Sequence, residues 1–252
     1  MTAQKGGTEN VDISATFSAQ ATQQNCCSPA FPLTTCLASA PHNPSSLSMP
    51  TLVYAHGFKS TSRSRKATQL RDYLLAQRLD INYLAPDLSF DPEVALTQLE
   101  HCCAGVAVDA LTIVGSSLGG FYALVLAEKL GCRAVLLNPA IRPFDTLARY
   151  LGPQTNLHTG EIFEFSEVHV CALRQRFIAQ ITRPERYLLM VETGDAVLDY
   201  RDAVRYCAGA AQIVIAGGDH ELTSFPQHIA ALLEFAGAEN AASDAASQKA
   251  KL

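Results

Sequence analysis

The sequence predicts an α/β fold with a mostly parallel, six-stranded sheet covered by helices on both faces. Six short apolar runs alternate with segments whose apolar residues recur at helical spacing. Strands joined by helical crossovers run parallel, and such sheets bind ligands beyond the carboxyl ends of their strands. The predicted strands are, in chain order, 51–55, 81–85, 111–114, 133–137, 187–191 and 212–216.

The segments between these runs contain the helix signals. Residues 63–79 and 225–235 carry apolar side chains at helical spacing. Asp91 and Asp199 each precede such a segment and suit the N-cap position. A further helix is predicted directly after the glycine pair at 119–120. The segment 143–185 is longer than a crossover needs, and its mixed content predicts a small, partly helical cap insertion that would set substrate size.

Composition limits the domain organisation and the classes of partner. A chain of 252 residues with 48% hydrophobic residues can bury a substantial core, and a single domain at 49–237 accounts for it. Residues 1–48 are polar and proline-containing, which predicts a disordered leader or a true start at Met49. Residues 238–252 suggest a polar tail. The net charge of −5 argues against a nucleic-acid partner, and nothing indicates an obligate protein partner.

The cysteines favour a reducing compartment over a metal site. None of the spacings among the eight cysteines is that of a zinc site, and no other metal or cofactor is expected. Scattered cysteines of this kind are typical of reduced, structural thiols. Residues 110–127 are uncharged and include a Gly-x-x-x-Gly spacing, so a membrane helix is a minor alternative. The strand-like front half and the double glycine argue against it.

The sequence around Ser117 is the candidate centre of the fold. Gly115-Ser-Ser-Leu-Gly119 follows an apolar strand and precedes a helix, so Ser117 lies at a strand-to-helix turn. This Gly-x-Ser-x-Gly arrangement is typical of a nucleophile elbow, in which the glycines relieve crowding and the serine hydroxyl is exposed. A bare match would be weak evidence in a chain with 15 glycines, but here the predicted strand and helix are present.

Two further strand ends supply partners for the serine. Asp195 follows the fifth strand and His220 follows the sixth. A serine nucleophile needs an imidazole to take its proton and a carboxylate to orient that imidazole. The three residues follow one another in the chain order of the triad that accompanies a nucleophile elbow, which is not the order in the chymotrypsin or subtilisin folds. Asp199 and Asp219 are the rival acids, although Asp199 suits a helix cap and Asp219 is expected to face solvent.

The loop after the first strand is the candidate oxyanion site. Gly57, in His56-Gly-Phe58, would let the backbone approach a ligand, so His56 and Gly57 are candidate substrate-binding residues. The backbone amides of Phe58 and Leu118 could then form an oxyanion hole. An ordinary strand-ending turn is the alternative, with His56 stabilising the loop.

A short basic run, Arg63, Arg65 and Lys66, follows this loop. It could meet an anionic leaving group such as a phosphate-bearing acyl carrier. A solvated first helical turn is the favoured interpretation.

Together these residues resemble the YqiA-like esterases, a branch of the α/β-hydrolase superfamily. The resemblance spans about Pro50 to Phe235, and departs at Thr61, at Ala196 and in the leader, which has no counterpart. It implies an α/β-hydrolase fold and a cytoplasmic serine esterase that acts on short acyl esters, or acyl-thioesters, through Ser117, Asp195 and His220. A non-catalytic binding protein of the same fold is the alternative. The matching motifs are Tyr54-Ala-His-Gly-Phe-Lys-Ser60, Gly115-Ser-Ser-Leu-Gly-Gly-Phe-Tyr-Ala123, Asn138-Pro-Ala-Ile-Arg-Pro143, Tyr150-Leu-Gly152, Thr159-Gly-Glu161, Thr193-Gly-Asp-Ala-Val-Leu-Asp-Tyr200 and Gly217-Gly-Asp-His220.

Overall fold

Six parallel strands form the central sheet of the computed structural model, which describes residues 49–238. The predicted leader and tail lie outside the described residues, apart from the first residue of the tail. The sheet has the order β2-β1-β3-β4-β7-β8, and every neighbouring pair is parallel. Its strands are β1 (Thr51–Ala55), β2 (Asn82–Leu84), β3 (Leu111–Ser116), β4 (Arg133–Leu137), β7 (Tyr187–Glu192) and β8 (Ala211–Ile215).

Helices cover both faces of this sheet, as predicted. One face packs against α1 and α7, and the opposite face packs against α2, α3, α5 and α6. Alternate side chains of β1 divide between the two faces, with Leu52 and Tyr54 on one and Val53 and Ala55 on the other. The helices are α1 (Arg65–Ala76), α2 (Pro92–Cys103), α3 (Leu118–Leu130), α4 (Pro143–Leu147), α5 (Glu167–Gln175), α6 (Tyr200–Tyr206) and α7 (Phe225–Phe235).

Local sequence signals explain most of the element boundaries. The carboxylate of Asp91 accepts hydrogen bonds from the N–H groups of Glu93 and Val94 at the start of α2, and that of Asp199 accepts one from Arg201 at the start of α6. Helix α1 is shorter than the predicted 63–79. It ends because Arg78 adopts a left-handed conformation with φ of 54°. The N–H of Leu79 then donates to the carbonyl of Leu74.

The segment between β4 and β7 contains α4 and α5, in line with its partly helical prediction, and also an antiparallel hairpin that the sequence analysis did not predict. The hairpin consists of β5 (Gly152–Thr155) and β6 (Ile162–Phe165). Two hydrogen bonds connect the hairpin turn to the loop after β1. The N–H of Leu157 donates to the carbonyl of Lys59 (2.9 Å), and the side-chain amide of Asn156 donates to the backbone carbonyl of Ser60 (3.1 Å).

The strand order places the candidate residues at one edge of the sheet. From β1 the chain first moves outward to β2 and then returns to β3 on the other side, so the order reverses between β1 and β3. The loops after these two strands carry Gly57 and Ser117, and the loops after β7 and β8 carry Asp195 and His220. Ligand sites in open parallel sheets lie at this kind of reversal.

Candidate active site

Ser117 occupies a strained turn between β3 and α3. Its φ of 55° and ψ of −118° lie in a region that non-glycine residues rarely adopt. Backbone bonds hold it there: its N–H donates to the carbonyl of Leu137 (3.1 Å), and its own carbonyl accepts from the N–H groups of Gly120 (2.9 Å) and Ala140 (3.0 Å). The hydroxyl therefore projects from the end of the strand.

The flanking glycines are required by crowding around this turn. A Cβ on Gly115 would overlap the carbonyl of Gly119, and a Cβ on Gly119 would overlap the carbonyl of Ala55. A Cβ on Gly120 would lie 2.6 Å from the Cβ of Pro139. These contacts explain the glycine positions of the motif, since backbone atoms cannot move aside as a flexible side chain can.

The structure brings Ser117, His220 and Asp195 into one line of hydrogen bonds. The Nε2 atom of His220 lies 3.0 Å from the Oγ of Ser117, and its Nδ1 lies 2.7 Å from an oxygen of Asp195. The Asp195 side chain is 2% exposed and the His220 side chain 22%. The aspartate is thus shielded from water while the imidazole and serine stay reachable.

Asp195 is held as a carboxylate. Burial raises its pKa, but the hydrogen bonds from His220 and from the N–H groups of Leu198 and Val197 outweigh burial and lower the pKa below its usual value. Neither rival acid bonds the imidazole: Asp199 caps α6, and Asp219 is exposed. Of the three acids considered, Asp195 is the one that contacts His220.

The two candidate oxyanion donors flank Ser117. In the described part of the chain, neither the N–H of Phe58 nor that of Leu118 donates a hydrogen bond to another group. Leu118 opens helix α3, whose positive end faces the same point. Gly57 lies directly against the serine, since a Cβ at this position would be 3.3 Å from the Cβ of Ser117 and 3.7 Å from its Oγ.

Replacing Gly57 with alanine should therefore impair activity more than stability. The new methyl group would enter the space in front of the Ser117 hydroxyl, and we expect kcat/KM for ester hydrolysis to fall by about tenfold to a hundredfold. Gly209→Ala is the matched control, because φ of 86° makes alanine unfavourable there while the residue lies before β8, at the opposite end of the sheet. This control should lower Tm and leave kcat/KM unchanged. Unchanged kcat/KM in Gly57→Ala together with a fall in kcat/KM in Gly209→Ala would contradict the placement of Gly57.

His56 uses both ring nitrogens inside the protein. Its Nε2 accepts the N–H of Leu88 (2.9 Å), which leaves the proton on Nδ1, 3.0 Å from the carbonyl of Gly57. The residue is buried, with 5% of its surface exposed. Burial lowers the pKa of His56, although the Gly57 carbonyl acts in the opposite direction. These contacts support the loop-stabilising interpretation of His56.

The His56 contacts predict a pH-dependent contribution to stability. Because the folded protein favours the neutral ring, this contribution is present above the ordinary histidine pKa of about 6.5 and is lost as the pH falls toward the lower pKa of the folded state. The denaturant midpoints of the wild type and His56→Gln should therefore differ most above about pH 7 and converge toward about pH 5. A difference that is constant over this range would contradict the assignment.

Two buried polar residues that the sequence analysis did not single out hold the loop that carries His220. The side-chain amide of Asn138 donates to the carbonyls of Asp219 (2.9 Å) and His220 (3.2 Å), and its Oδ1 accepts the N–H of Glu192 (3.0 Å). Asn138 is 2% exposed, and it opens one of the motifs quoted above. That motif was the available signal for Asn138, although it did not indicate a role.

Glu192 anchors the same loop from the end of β7. One carboxylate oxygen accepts the N–H groups of Asp219 (2.6 Å) and Thr223 (3.2 Å). The other accepts the N–H (2.8 Å) and hydroxyl (2.6 Å) of Ser224. Burial raises the pKa of Glu192, but these donors outweigh it and lower the pKa below its usual value. The sequence signal available for Glu192 was a carboxylate at the end of an apolar strand.

Two cavities meet at the loop after β1, which carries Gly57 and Phe58 and is called the oxyanion loop below for its candidate role. The smaller, of about 40 Å³, contains Ser117 and is walled by mostly apolar residues from the loops after β3, β4 and β7 and from the cap segment. Leu147 and Tyr150 are its cap residues, together with Thr146 and Arg149. The larger, of about 340 Å³, lies between the oxyanion loop, the loop after β2 and the β5–β6 hairpin.

The basic run does not contribute to either cavity. Arg63 and Arg65 are exposed, and Lys66 is buried with its Nζ donating to the carbonyl of Glu221 (2.9 Å). Lys66 thus holds the loop next to His220. Because none of the three basic side chains lines a cavity at the site, no observation supports contact between the run and an anionic leaving group. Within residues 49–238, no cluster of His, Cys, Asp and Glu could hold a metal ion. Among the described helices there is none with the length and apolar character that a membrane span needs. The uncharged stretch instead contains β3, and α3 begins at Leu118.

Comparison with known proteins decides the family. Residues 51–237 match the profile of UPF0227, described as an uncharacterised protein family. The chain belongs to this family. UPF0227 corresponds to the YqiA-like proteins, so the resemblance inferred from the sequence is confirmed.

The UPF0227 chain also has the fold of several solved structures. It aligns with Est1E from Butyrivibrio proteoclasticus, solved with ferulic acid bound, at 17% identity and a TM-score of 0.57 over 76% of this chain and 89% of that chain. For α/β hydrolase domain-containing protein 10 from mouse the identity is 14%, the TM-score 0.56 and the coverage 73% and 88%. It aligns with the esterase domain of a Rhodothermus marinus protein at 19% identity and a TM-score of 0.51, over 77% of this chain and 88% of that chain. These similarities confirm the α/β-hydrolase fold.

Proposed function

We propose that this protein is a serine carboxylesterase that hydrolyses short acyl esters through an acyl-enzyme on Ser117. The observation that carries the proposal is the hydrogen-bonded line from the Ser117 hydroxyl through His220 to Asp195, with distances of 3.0 and 2.7 Å. Nucleophile, base and orienting acid are in reach of one another, as acyl transfer requires. Family membership and the fold are consistent with this chemistry.

The first half-reaction begins with proton transfer from Ser117 to His220. Nδ1–H of His220 donates to Asp195, so Nε2 is free to accept the hydroxyl proton while Oγ attacks the ester carbonyl carbon. The carboxylate of Asp195 stabilises the imidazolium that forms. The carbonyl oxygen becomes an oxyanion, which the N–H groups of Phe58 and Leu118 stabilise.

Collapse of this intermediate breaks the bond to the leaving alcohol, which takes the proton from Nε2 of His220. The acyl group is then bound to the Ser117 Oγ. Water enters, gives a proton to His220 and attacks the acyl carbon, and the second intermediate releases the acid as the proton returns to Ser117. An acyl-thioester would follow the same route with a thiol as the leaving group.

The cavity at Ser117 supports a preference for short acyl groups. Its volume of about 40 Å³ is small beside the roughly 300–1,000 Å³ of typical ligand pockets, which suits a short acyl group. The lining is mostly apolar, which suits an alkyl chain.

Trapping the acyl-enzyme tests the proposal. Acid-quenched wild type mixed with p-nitrophenyl acetate should carry one acetyl group, and peptide mapping should locate it on Ser117. An acetyl group on another residue, or none during turnover, would contradict the mechanism. A folded protein that neither turns over nor is acylated would instead favour the non-catalytic binding protein. A small-molecule ester is the proposed partner, and a cytoplasmic location stays a prediction.

A further inference from the structure

Two residues lie where the two cavities meet, and one of them is aromatic. Among the residues that the structure describes, Phe58 and Leu118 are the two that line both cavities. The Phe58 ring lies between Tyr150, a wall of the smaller cavity, and Phe163, a wall of the larger, with ring centroids 6.0 and 5.9 Å away. The ring thus lies, with Leu118, at the boundary between the space at Ser117 and the larger space beyond.

The surrounding side chains keep this ring in place. Phe165 contacts it at a centroid distance of 5.0 Å, in addition to Tyr150 and Phe163. Offset and edge-on aromatic contacts of this kind are favourable beyond the area that they bury. Because the oxyanion donor is the backbone N–H of Phe58, the ring can be changed while that N–H is retained.

The larger cavity is able to receive an acyl chain. Leu88, Phe90 and Phe163 supply apolar surface on its walls. Two of its polar side chains are occupied internally, since Gln98 accepts the N–H of Ser89 (2.8 Å) and Asn156 donates to the carbonyl of Ser60 (3.1 Å). Lys59, Asp87 and Glu161 also line the cavity and give it a charged side. Polar groups that are already satisfied lose little when an apolar chain displaces water beside them.

We propose that the Phe58 ring sets the acyl-chain length of this protein by closing the larger cavity off from Ser117. This inference rests on the proposed esterase function and assigns the ring a role separate from that of its N–H group. With the ring present, a long acyl group exceeds the cavity of about 40 Å³ at Ser117. With a smaller side chain, the two cavities join and a longer chain extends into the second.

The test compares acyl-chain preference rather than absolute activity. We would measure kcat/KM for the p-nitrophenyl esters of acetate, butyrate and octanoate with the wild type, Phe58→Ala and Phe58→Leu. The ratio of octanoate to butyrate should rise by about tenfold or more in Phe58→Ala, because burial of each additional methylene is favourable. Phe58→Leu keeps more of the packing and should give an intermediate ratio, so the test survives if Phe58→Ala fails to fold.

Phe90→Ala is the matched control. It removes the same number of atoms from the larger cavity, but Phe90 does not line the space at Ser117, so the wild-type ratio should be retained. An unchanged ratio in folded Phe58→Leu and Phe58→Ala, or an equal rise in Phe90→Ala, would overturn the role of the ring. Absence of hydrolysis of all three esters by the wild type would overturn the proposed function itself, which distinguishes the two failures.

Discussion

Ser117→Ala should lower kcat for ester hydrolysis by several orders of magnitude, up to about a millionfold. The methyl group cannot form the acyl-enzyme, so turnover would depend on water attacking a bound ester directly. The proposed oxyanion donors are backbone N–H groups that this substitution leaves in place, and a residual rate of about 10³-fold over the uncatalysed reaction is therefore expected. Steady-state hydrolysis of p-nitrophenyl butyrate by the purified variant measures this loss.

The neighbouring serine provides the control. Ser116 is buried at the end of β3 and makes no contact with His220 or Asp195. Ser116→Ala should keep kcat within a few-fold of the wild type, because its hydroxyl takes no part in acyl transfer. Wild-type turnover by folded Ser117→Ala would refute the assignment of the nucleophile.

Glu192→Gln should lower both stability and turnover although Glu192 contacts neither Ser117 nor the His220 ring. Each carboxylate oxygen accepts two hydrogen bonds from donors in the loop after β8. Glutamine has one oxygen and one NH₂ group, so one or two of the backbone N–H groups would face another donor. We expect a loss of about 3 kcal/mol in the free energy of unfolding and a fall in kcat of about tenfold to a hundredfold as His220 loses its position.

Glu128→Gln separates positioning from stability alone. Glu128 is also a buried carboxylate that accepts several bonds, from the N–H and hydroxyl of Thr182 and from the hydroxyl of Tyr187. These partners lie at the amino-terminal end of β7, away from the site. This variant should lose stability and keep kcat. Equal kcat values for Glu192→Gln and the wild type would show that Glu192 is merely structural.

The strands and the candidate triad residues could be predicted because their signals are local. An apolar run ended by Gly115 and a serine at a strand-to-helix turn are readable within about ten residues, and 133–137 matches β4 at both ends. Asp195 and His220 could be proposed because each directly follows a predicted strand. Parallel strands bring such positions together whatever their separation in sequence.

The supporting residues could not be predicted, because their roles depend on tertiary contacts. Glu192 meets partners 27 to 32 residues away, and Asn138 reaches carbonyls more than 80 residues away. The β5–β6 hairpin was missed for a similar reason. Its first strand, Gly152–Thr155, contains glycine and proline, which weaken a strand signal, and it is stabilised by bonds to the oxyanion loop.

Intact-mass spectrometry after incubation with a small fluorophosphonate tests the central claim most directly. The probe reacts with a serine that a neighbouring base has activated, whatever the natural substrate is. We expect one adduct on the wild type and none on Ser117→Ala. A folded wild type that stays unmodified, or an adduct that persists in Ser117→Ala, would contradict an activated nucleophile at Ser117.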